Sequence, residues 1–462
     1  MSGNDLPMVS PPDPEALTRE RAWLIEMESA PAWRRGFAFL KRGGPGYLQS
    51  ALTLGGGTAA SSLFAGAAFG YDLLWVAPLS MLLGVIMLSA VAYQTLSTGM
   101  RPFEAMRVHA GPVFAWGWAI GALLSSFIWH FAQYSLAGAV LEDMGEQAGL
   151  PVNRWLAGGA ILAWAIPGVL LYASSPRWMR FFERALRWMV YAIILCFGFV
   201  VLKTGVREPG ALLDGFLAFR VPAETNGIAG ISVVISGMAA AVGVNMVFLY
   251  PYTLLARGWG REHRRLARFD LFAGMFLPYL LATSLMIIAT ANVLHYGAAE
   301  PFTGKALSPV EAGAALAPAV GGMLGRVVFD LGILGMAASS IILHMLCCGF
   351  ACSEMFGWKV GSTKYRLACL IPVPGVLGAG LWGDMKLWIA VPTTILTGFL
   401  LPLAYLGFVK LQRSRGYLGD DLPRGPRATA WLGAMVLATL VLVVFLGWFT
   451  ITRGPQFLED LF

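Results

Sequence analysis

Few residues in this chain can do chemistry, and most of those stand in apolar surroundings. His344, Cys348 and Cys352 recur every four residues, which sets them on one face of a helix. Imidazole and thiol groups in such a ladder suit a soft metal ion. No carboxylate or supporting partner accompanies them and Cys347 lies alongside, so the ladder reads as ordinary helix packing by small residues. His130 lies in an apolar run with no ionisable neighbour, where a side chain able to titrate near neutral pH is a functional candidate. Asn245 follows Gly243 and precedes Pro251, again within an apolar run. Three consecutive glycines, Gly55, Gly56 and Gly57, precede Thr58. Arg326 and Asp330 stand four apart, the spacing of an ion pair on a helix surface and a candidate gate contact. Nucleophile elbow, phosphate-binding loop, HExxH motif and paired carboxylates on one helix face are all missing from the sequence. The expectation is a protein that is not an enzyme, needs no cofactor and, lacking an ATP-binding module, is no pump.

The elements that must position these residues follow from composition. Of 462 residues, 57% are hydrophobic and 13% charged, about half the charged share of soluble domains. The mean hydropathy is +0.67. A membrane span needs ~20 apolar residues, and such stretches fall at about 46–69, 73–96, 113–141, 155–175, 187–203, 228–256, 269–295, 325–350, 365–382, 386–409 and 429–451. The expected class is therefore an all-α polytopic membrane protein with eleven transmembrane helices. Five cysteines without loop spacing read as packing residues, not a disulfide framework.

Charge placement tests the count, because cytoplasmic loops collect Lys and Arg. With the N-terminus inside, the inner segments hold 25 of the 33 basic residues, whereas the acidic residues divide 13 and 13. The net charge of +7 thus belongs to topology and the lipid bilayer, and no nucleic-acid partner is expected. The chain is expected in the plasma (inner) membrane, its N-terminus cytoplasmic and its C-terminus opposite. Residues 1–43 form a cytoplasmic arm, partly amphipathic and suited to an anionic leaflet.

Spans 1 and 6 are the two with unusual punctuation. Each glycine of the Gly55–Gly57 run weakens a helix by ~1 kcal/mol relative to alanine, and span 6 is punctuated within Gly237–Met246, with Asn245 near mid-membrane and Pro251 a little further on. These spans open two five-helix halves, 44–227 and 228–410. Five is odd, so the halves run in opposite directions, and residues 411–462 add a loop and an eleventh helix. Interrupted helices at matching places in inverted repeats mark a carrier's binding site. The plainer alternative is that the glycines only let helices approach closely.

The residues that open the membrane domain resemble a known family. Gly44-Pro45-Gly46-Tyr47-Leu48, then Ala65-Gly66-Ala67-Ala68-Phe69-Gly70-Tyr71 and Leu73-Leu74-Trp75-Val76, are similar to the NRAMP family of metal-ion transporters. Leu316-Ala317-Pro318, Ser339-Ser340 and Leu401-Pro402 add to the likeness, which extends from Gly44 to Lys410. The resemblance implies a LeuT-type 5+5 inverted repeat plus one further helix, with a substrate site between helices 1 and 6.

Departures from the family pattern are equally informative. Where the family has Asp-Pro-Gly-Asn, this chain reads Gly55-Gly56-Gly57-Thr58. Where it has Met-Pro-His, the chain reads Asn245-Met246-Val247. The Asp and Glu that serve proton transfer in span 3 correspond to His130 and Gln133. The resemblance therefore implies a divergent member whose site offers neutral oxygen: the Thr58 hydroxyl and Asn245 amide as weak metal ligands, and helix-end carbonyls around Leu52, Gly55 and Val242. Divalent cations usually require carboxylate or thiolate, so a weakly held or partly hydrated cation is the favoured cargo, moved by alternating access. A carrier of a neutral or zwitterionic solute, and a non-transporting sensor or scaffold, are the alternatives. The sequence leaves the oligomeric state open.

Overall fold

In a computed structural model, the structure describes residues 6–459 except 173, 226, 298–301, 303–308 and 382–389. Two arm helices, α1 (Pro14–Glu28) and α2 (Ala32–Arg42), precede the membrane domain. Its first span is broken into α3 (Pro45–Thr53) and α4 (Gly56–Phe69). There follow α5 (Val76–Thr98), α6 (Pro112–Gln147), α7 (Arg154–Tyr172) and α8 (Pro176–Thr204). The sixth span is also broken, into α9 (Gly230–Ala241) and α10 (Val244–Ala256). The seventh runs through α11 (Arg264–Leu271) and α12 (Leu277–Thr290), and the eighth is the long α13 (Met323–Phe356). Two short helices, α14 (Ala390–Gly398) and α15 (Leu401–Gln412), precede the terminal α16 (Pro426–Glu459).

Local chemistry sets several of these ends. Pro45 and Pro112 occupy first-turn positions, where the missing N–H costs nothing. Gly99 and Gly357 close α5 and α13 in the left-handed conformation, at φ 67° and 68°. No side chain of its own caps α3. Instead the Asp270 carboxylate of α11 accepts from the Gly44 and Gly46 N–H groups at 3.0 and 2.6 Å, placing an anion at the positive helix end.

Among the described residues, nine helices are long and apolar enough to cross a membrane. The broken first span adds a tenth crossing in two pieces, neither of spanning length alone. The ninth stretch departs from expectation. Residues 363–381 form a short helix at Thr363–Cys369, a 3₁₀ turn at Val373–Leu377 and one helical turn at Gly378–Leu381. Pro372, Pro374, Gly375 and Gly378 punctuate the run, so no continuous helix appears there. The junction at 382–389 lies outside the described residues.

Burial separates core from periphery. The most apolar windows of Gly230–Ala256 and Met323–Phe356 are 89% and 83% buried, against 28% for Pro176–Thr204. The interrupted sixth span and α13 are thus the centre of the bundle, and α8 faces outward. At the α4–α12 contact a Cβ on Gly66 would lie 2.1 Å from Thr290 Oγ1 and 2.4 Å from the Ile287 carbonyl, so only glycine permits this approach.

The loops rich in Lys and Arg gather at one end of the molecule. Arg101 pairs with Glu354 at 3.3 Å, Arg265 with Glu28 at 3.4 Å and Arg264 with Asp421 at 3.2 Å, and Arg257 grips Glu183. The Val9 N–H donates to the Val360 carbonyl at 2.9 Å. Arg265–Glu28 and Val9–Val360 tie the arm to two of these loops, and the other pairs join loops separated by whole pairs of spans.

Candidate functional site

The two helix breaks lie face to face. In the first, the Leu54 N–H closes the last intrahelical bond, to Ser50 O at 2.8 Å. The next three carbonyls then lie beyond the helix's own donors. Hydroxyls supply them: Ser339 and Ser340 donate to Ala51 O at 3.0 and 3.2 Å, Ser340 also to Leu52 O at 3.2 Å, and Thr58 to Thr53 O at 2.5 Å. On the far side of the break the Gly56 N–H donates to Gln133 Oε1 at 3.0 Å. In the second break Val242 and Gly243 are extended, with ψ of 106° and 164°. The Thr53 hydroxyl bridges the two breaks by donating to the Ala241 carbonyl.

Between them lies a small cavity of about 30 Å³, room for one or two waters or a single ion. Thr53, Thr58, Gln133, Asn245, Met246 and His344 bring its polar or polarisable groups, and Trp129 closes one wall. A Cβ on Gly57 would lie 2.6 Å from the Trp129 ring and 2.8 Å from Thr394 Oγ1, and one on Gly55 would lie 2.5 Å from Ser340 Oγ. Breakage and close approach are therefore two aspects of the same glycine run. All the lining side chains are formally neutral apart from the titratable imidazole.

Asn245 and His344 form the centre of the polar wall. Asn245 Nδ2 lies 3.0 Å from His344 Nδ1, while Asn245 Oδ1 accepts the Met246 N–H at 3.0 Å. With the amide oxygen engaged, Nδ2 is the donor, so His344 Nδ1 is the acceptor and the ring proton belongs on Nε2. Met246 Sδ sits within 3.3 Å of both Thr53 Oγ1 and the Gly243 N–H.

Of the residues expected at the site, Leu52, Gly55, Thr58, Gln133 and Asn245 line the cavity. Val242 does not line it: its side chain fills the space left by Gly84 of α5, where a Cβ would lie 2.1 Å from Val242 Cγ2. His130 stands just behind the wall, its Nε2 3.2 Å from Ile341 O and its ring 6.5 Å from that of His344. The 373–381 segment covers it, for a Cβ on Gly375 would approach His130 Cβ to 2.7 Å. The expected Arg326–Asp330 pair is not formed. Arg326 turns to Asp143 near the end of α6, where its guanidinium meets a carboxylate head-on, and Asp330 lies beside that pair.

Besides Thr53 and Trp129, two lining residues escape a reading by sequence alone. His344 leaves the Cys ladder and joins the cavity; Cys347 instead packs its sulfur 3.5 Å from Asn245 O. Met246 restores a sulfur one position later than the family pattern suggests. The third helical position of α10 aims it back across the break. Among the described residues no three His, Cys, Asp or Glu side chains cluster as a metal site. All five cysteines are free.

The family model of natural resistance-associated macrophage protein-like (Nramp) proteins matches residues 46–449. The chain belongs to the Nramp family. It is accordingly a transmembrane transporter and not an enzyme. Similar relatives include the divalent metal cation transporter MntH of Mesorhizobium japonicum, 24% identical over 450 residues and covering 93% of each chain. The MntH of Mycobacterium tuberculosis is 25% identical over 420 residues, 88% of this chain and 91% of that one. Among solved structures, the Eremococcus coleocola manganese transporter in complex with an aromatic bis-isothiourea compound matches with a TM-score of 0.68 at 15% identity, covering 99% of this chain and 93% of that one. Mhp1, a nucleobase-cation-symport-1 family transporter, matches in a closed conformation with a TM-score of 0.56 at 14% identity, covering 88% and 92%. At such identities these likenesses show a shared transporter fold.

Proposed function

We propose that this Nramp protein carries a partly hydrated transition-metal cation by alternating access, through a site of neutral donors between its two broken helices. The observation that carries the reading is the cavity itself: two facing breaks enclose a space sized for one ion and lined by an imidazole, a thioether, amides and hydroxyls. Imidazole and thioether favour transition metals over Mg²⁺ and Ca²⁺. An entering cation competes with the Asn245 amide for the Nδ1 lone pair of His344 and meets Met246 Sδ beside it. Thr58 and the carbonyls near Leu52 and Gly55 supply oxygen. Without a carboxylate the ion keeps part of its water shell, so affinity is low and release is easy.

The two halves, 44–227 and 228–410, act as inverted repeats, with the bundle that holds the breaks rocking against the rest. Any proton coupling runs through His130, which faces His344 across 6.5 Å between ring centres. Arg326, Asp330 and Asp143 form the gate contact at the end away from the basic loops. The Lys and Arg bias puts those loops and the N-terminus in the cytoplasm, with the eleventh span carrying the C-terminus to the opposite face of the plasma membrane.

Uptake into proteoliposomes over a panel of Mn²⁺, Co²⁺, Ni²⁺, Zn²⁺, Cd²⁺, Mg²⁺ and Ca²⁺ tests the proposal. Flux of the first five, and its loss in Asn245→Ala, is expected. Folded protein that moves none of them rejects the cation reading. The uncharged wall favours one competitor, a small neutral solute, and stabilisation of the protein by such a solute but by no ion would establish it.

A further inference from the structure

A second and much larger cavity opens at the basic end, between the arm and the start of α8. It encloses about 820 Å³ and is lined by seven Lys or Arg residues against three Asp or Glu. The acids do not neutralise it. Glu183 is committed to Arg257, with both carboxylate oxygens within 3.1 Å of Nε. Arg187 and Arg257 are held from behind as well, since they donate to the Leu40 and Arg42 carbonyls at 3.1 and 2.8 Å. Lys41, Arg180 and Arg184 have no ion-pair partner among the described residues, and all three are exposed.

We propose that this cavity binds the phosphate headgroup of an anionic phospholipid of the inner leaflet. Like charges gathered around one cavity repel, and a bound phosphate replaces that repulsion with several charge-assisted hydrogen bonds. Arginine forks suit a phosphate well. The surroundings select a lipid over a soluble phosphate. On α8, Trp178 and Trp188 are 42% and 70% exposed beside the arginines, and on α2 Trp33 is 70% exposed. Exposed tryptophans next to cations mark the headgroup level of a bilayer. A headgroup seated here contacts Lys41 of the arm and Arg180 and Arg184 of α8 together, so it tethers the arm to the membrane domain. Cationic pockets between helices on the cytoplasmic side are a general means of holding such headgroups.

The test uses the full chain in neutral detergent, with thermal stability followed as short-chain phosphatidylglycerol, phosphatidylcholine or inorganic phosphate is added. Phosphatidylglycerol is expected to stabilise and the other two are not. In Lys41→Gln/Arg180→Gln/Arg184→Gln the half-saturating phosphatidylglycerol concentration rises about a hundredfold, roughly 1.4 kcal/mol per decade. The control triple Arg268→Gln/Arg413→Gln/Arg424→Gln removes equal charge from exposed positions outside the cavity and shifts it less than threefold. Melting without lipid reports whether each variant folds. Equal loss in both triples reduces the effect to general surface charge and overturns the site. Stabilisation by inorganic phosphate alone makes it a free-phosphate site and overturns the lipid assignment. The result is independent of whether the central cavity carries a metal.

Discussion

Replacing Ser339 and Ser340 by alanine strips the first helix break of the donors that make it tolerable inside a membrane. The two serines do not contribute equally. Ser339 serves Ala51 O, which Ser340 also reaches, and divides its hydrogen with Met336 O of its own helix at 3.1 Å. Ser339→Ala therefore leaves no carbonyl orphaned and costs about 0.5–1 kcal/mol. Ser340 is the side-chain donor to Leu52 O, so Ser340→Ala leaves that carbonyl bare and costs about 1–3 kcal/mol. In the double variant Ala51 O is orphaned too, and the loss exceeds the sum of the single losses by about 1 kcal/mol, the coupling expected when two residues share a partner. Equilibrium unfolding in mixed micelles, run on the wild type, both single variants and the double, reads all four corners of the cycle. Additive losses, or a double variant as stable as the wild type, would refute the idea that these hydroxyls sustain the break.

Four further outcomes follow from the geometry. Gly66→Ala forces a methyl onto Thr290 Oγ1 and the Ile287 carbonyl and destabilises by about 3 kcal/mol or more, the upper end of overpacking, read from the same unfolding curves. Met246→Leu keeps volume but removes sulfur, so Cd²⁺ uptake falls at least tenfold while Mn²⁺ uptake falls less, as competition in proteoliposomes will show. A double-mutant cycle on Arg326 and Asp143 gives a coupling of about 1–3 kcal/mol, whereas Arg326 with Asp330 gives less than half of that, because the guanidinium faces Asp143. Glu104 accepts from Arg107 at 2.7 and 2.9 Å, and that hydrogen bond holds its carboxyl below the ordinary value of 4.5. Its stabilising share is complete above that pH and is lost as pH falls through the lowered value, so Glu104→Gln flattens the acid limb of a stability–pH profile.

Much of the scaffold was legible because lipid leaves the backbone so few options. Runs of apolar residues gave most spans within a turn or two; the Gly55–Gly57 run marked the first break, and the second fell inside the Gly237–Met246 stretch. The ninth stretch shows the limit of hydropathy. Residues 365–382 are apolar enough to span, yet prolines and glycines divide 363–381 into short turns, those of 373–381 packed on α6. The candidate site was legible only in part. Asn245 and His344 are 99 residues apart, and nothing local to either says that they meet. The four-residue spacing of His344, Cys348 and Cys352 was real, but each step of four climbs about 6 Å along α13, so the histidine stands level with the breaks and lines the cavity while the cysteines lie beyond it. Met246 was hidden by register, since matching a motif position by position cannot see which way the first turn of α10 points.

The uncharged wall of the central cavity has an energetic corollary. A carboxylate would travel with the cargo and cancel part of its charge; under the proposed function the ion would cross uncompensated. The loaded carrier then feels the resting potential in full, about 2.3 kcal/mol per elementary charge per 100 mV, or roughly 4.6 kcal/mol for a divalent ion by the same relation. In the proposed cycle the empty carrier would return almost indifferent to voltage, so an interior-negative cell would draw the cation inward without any second ion to drive it.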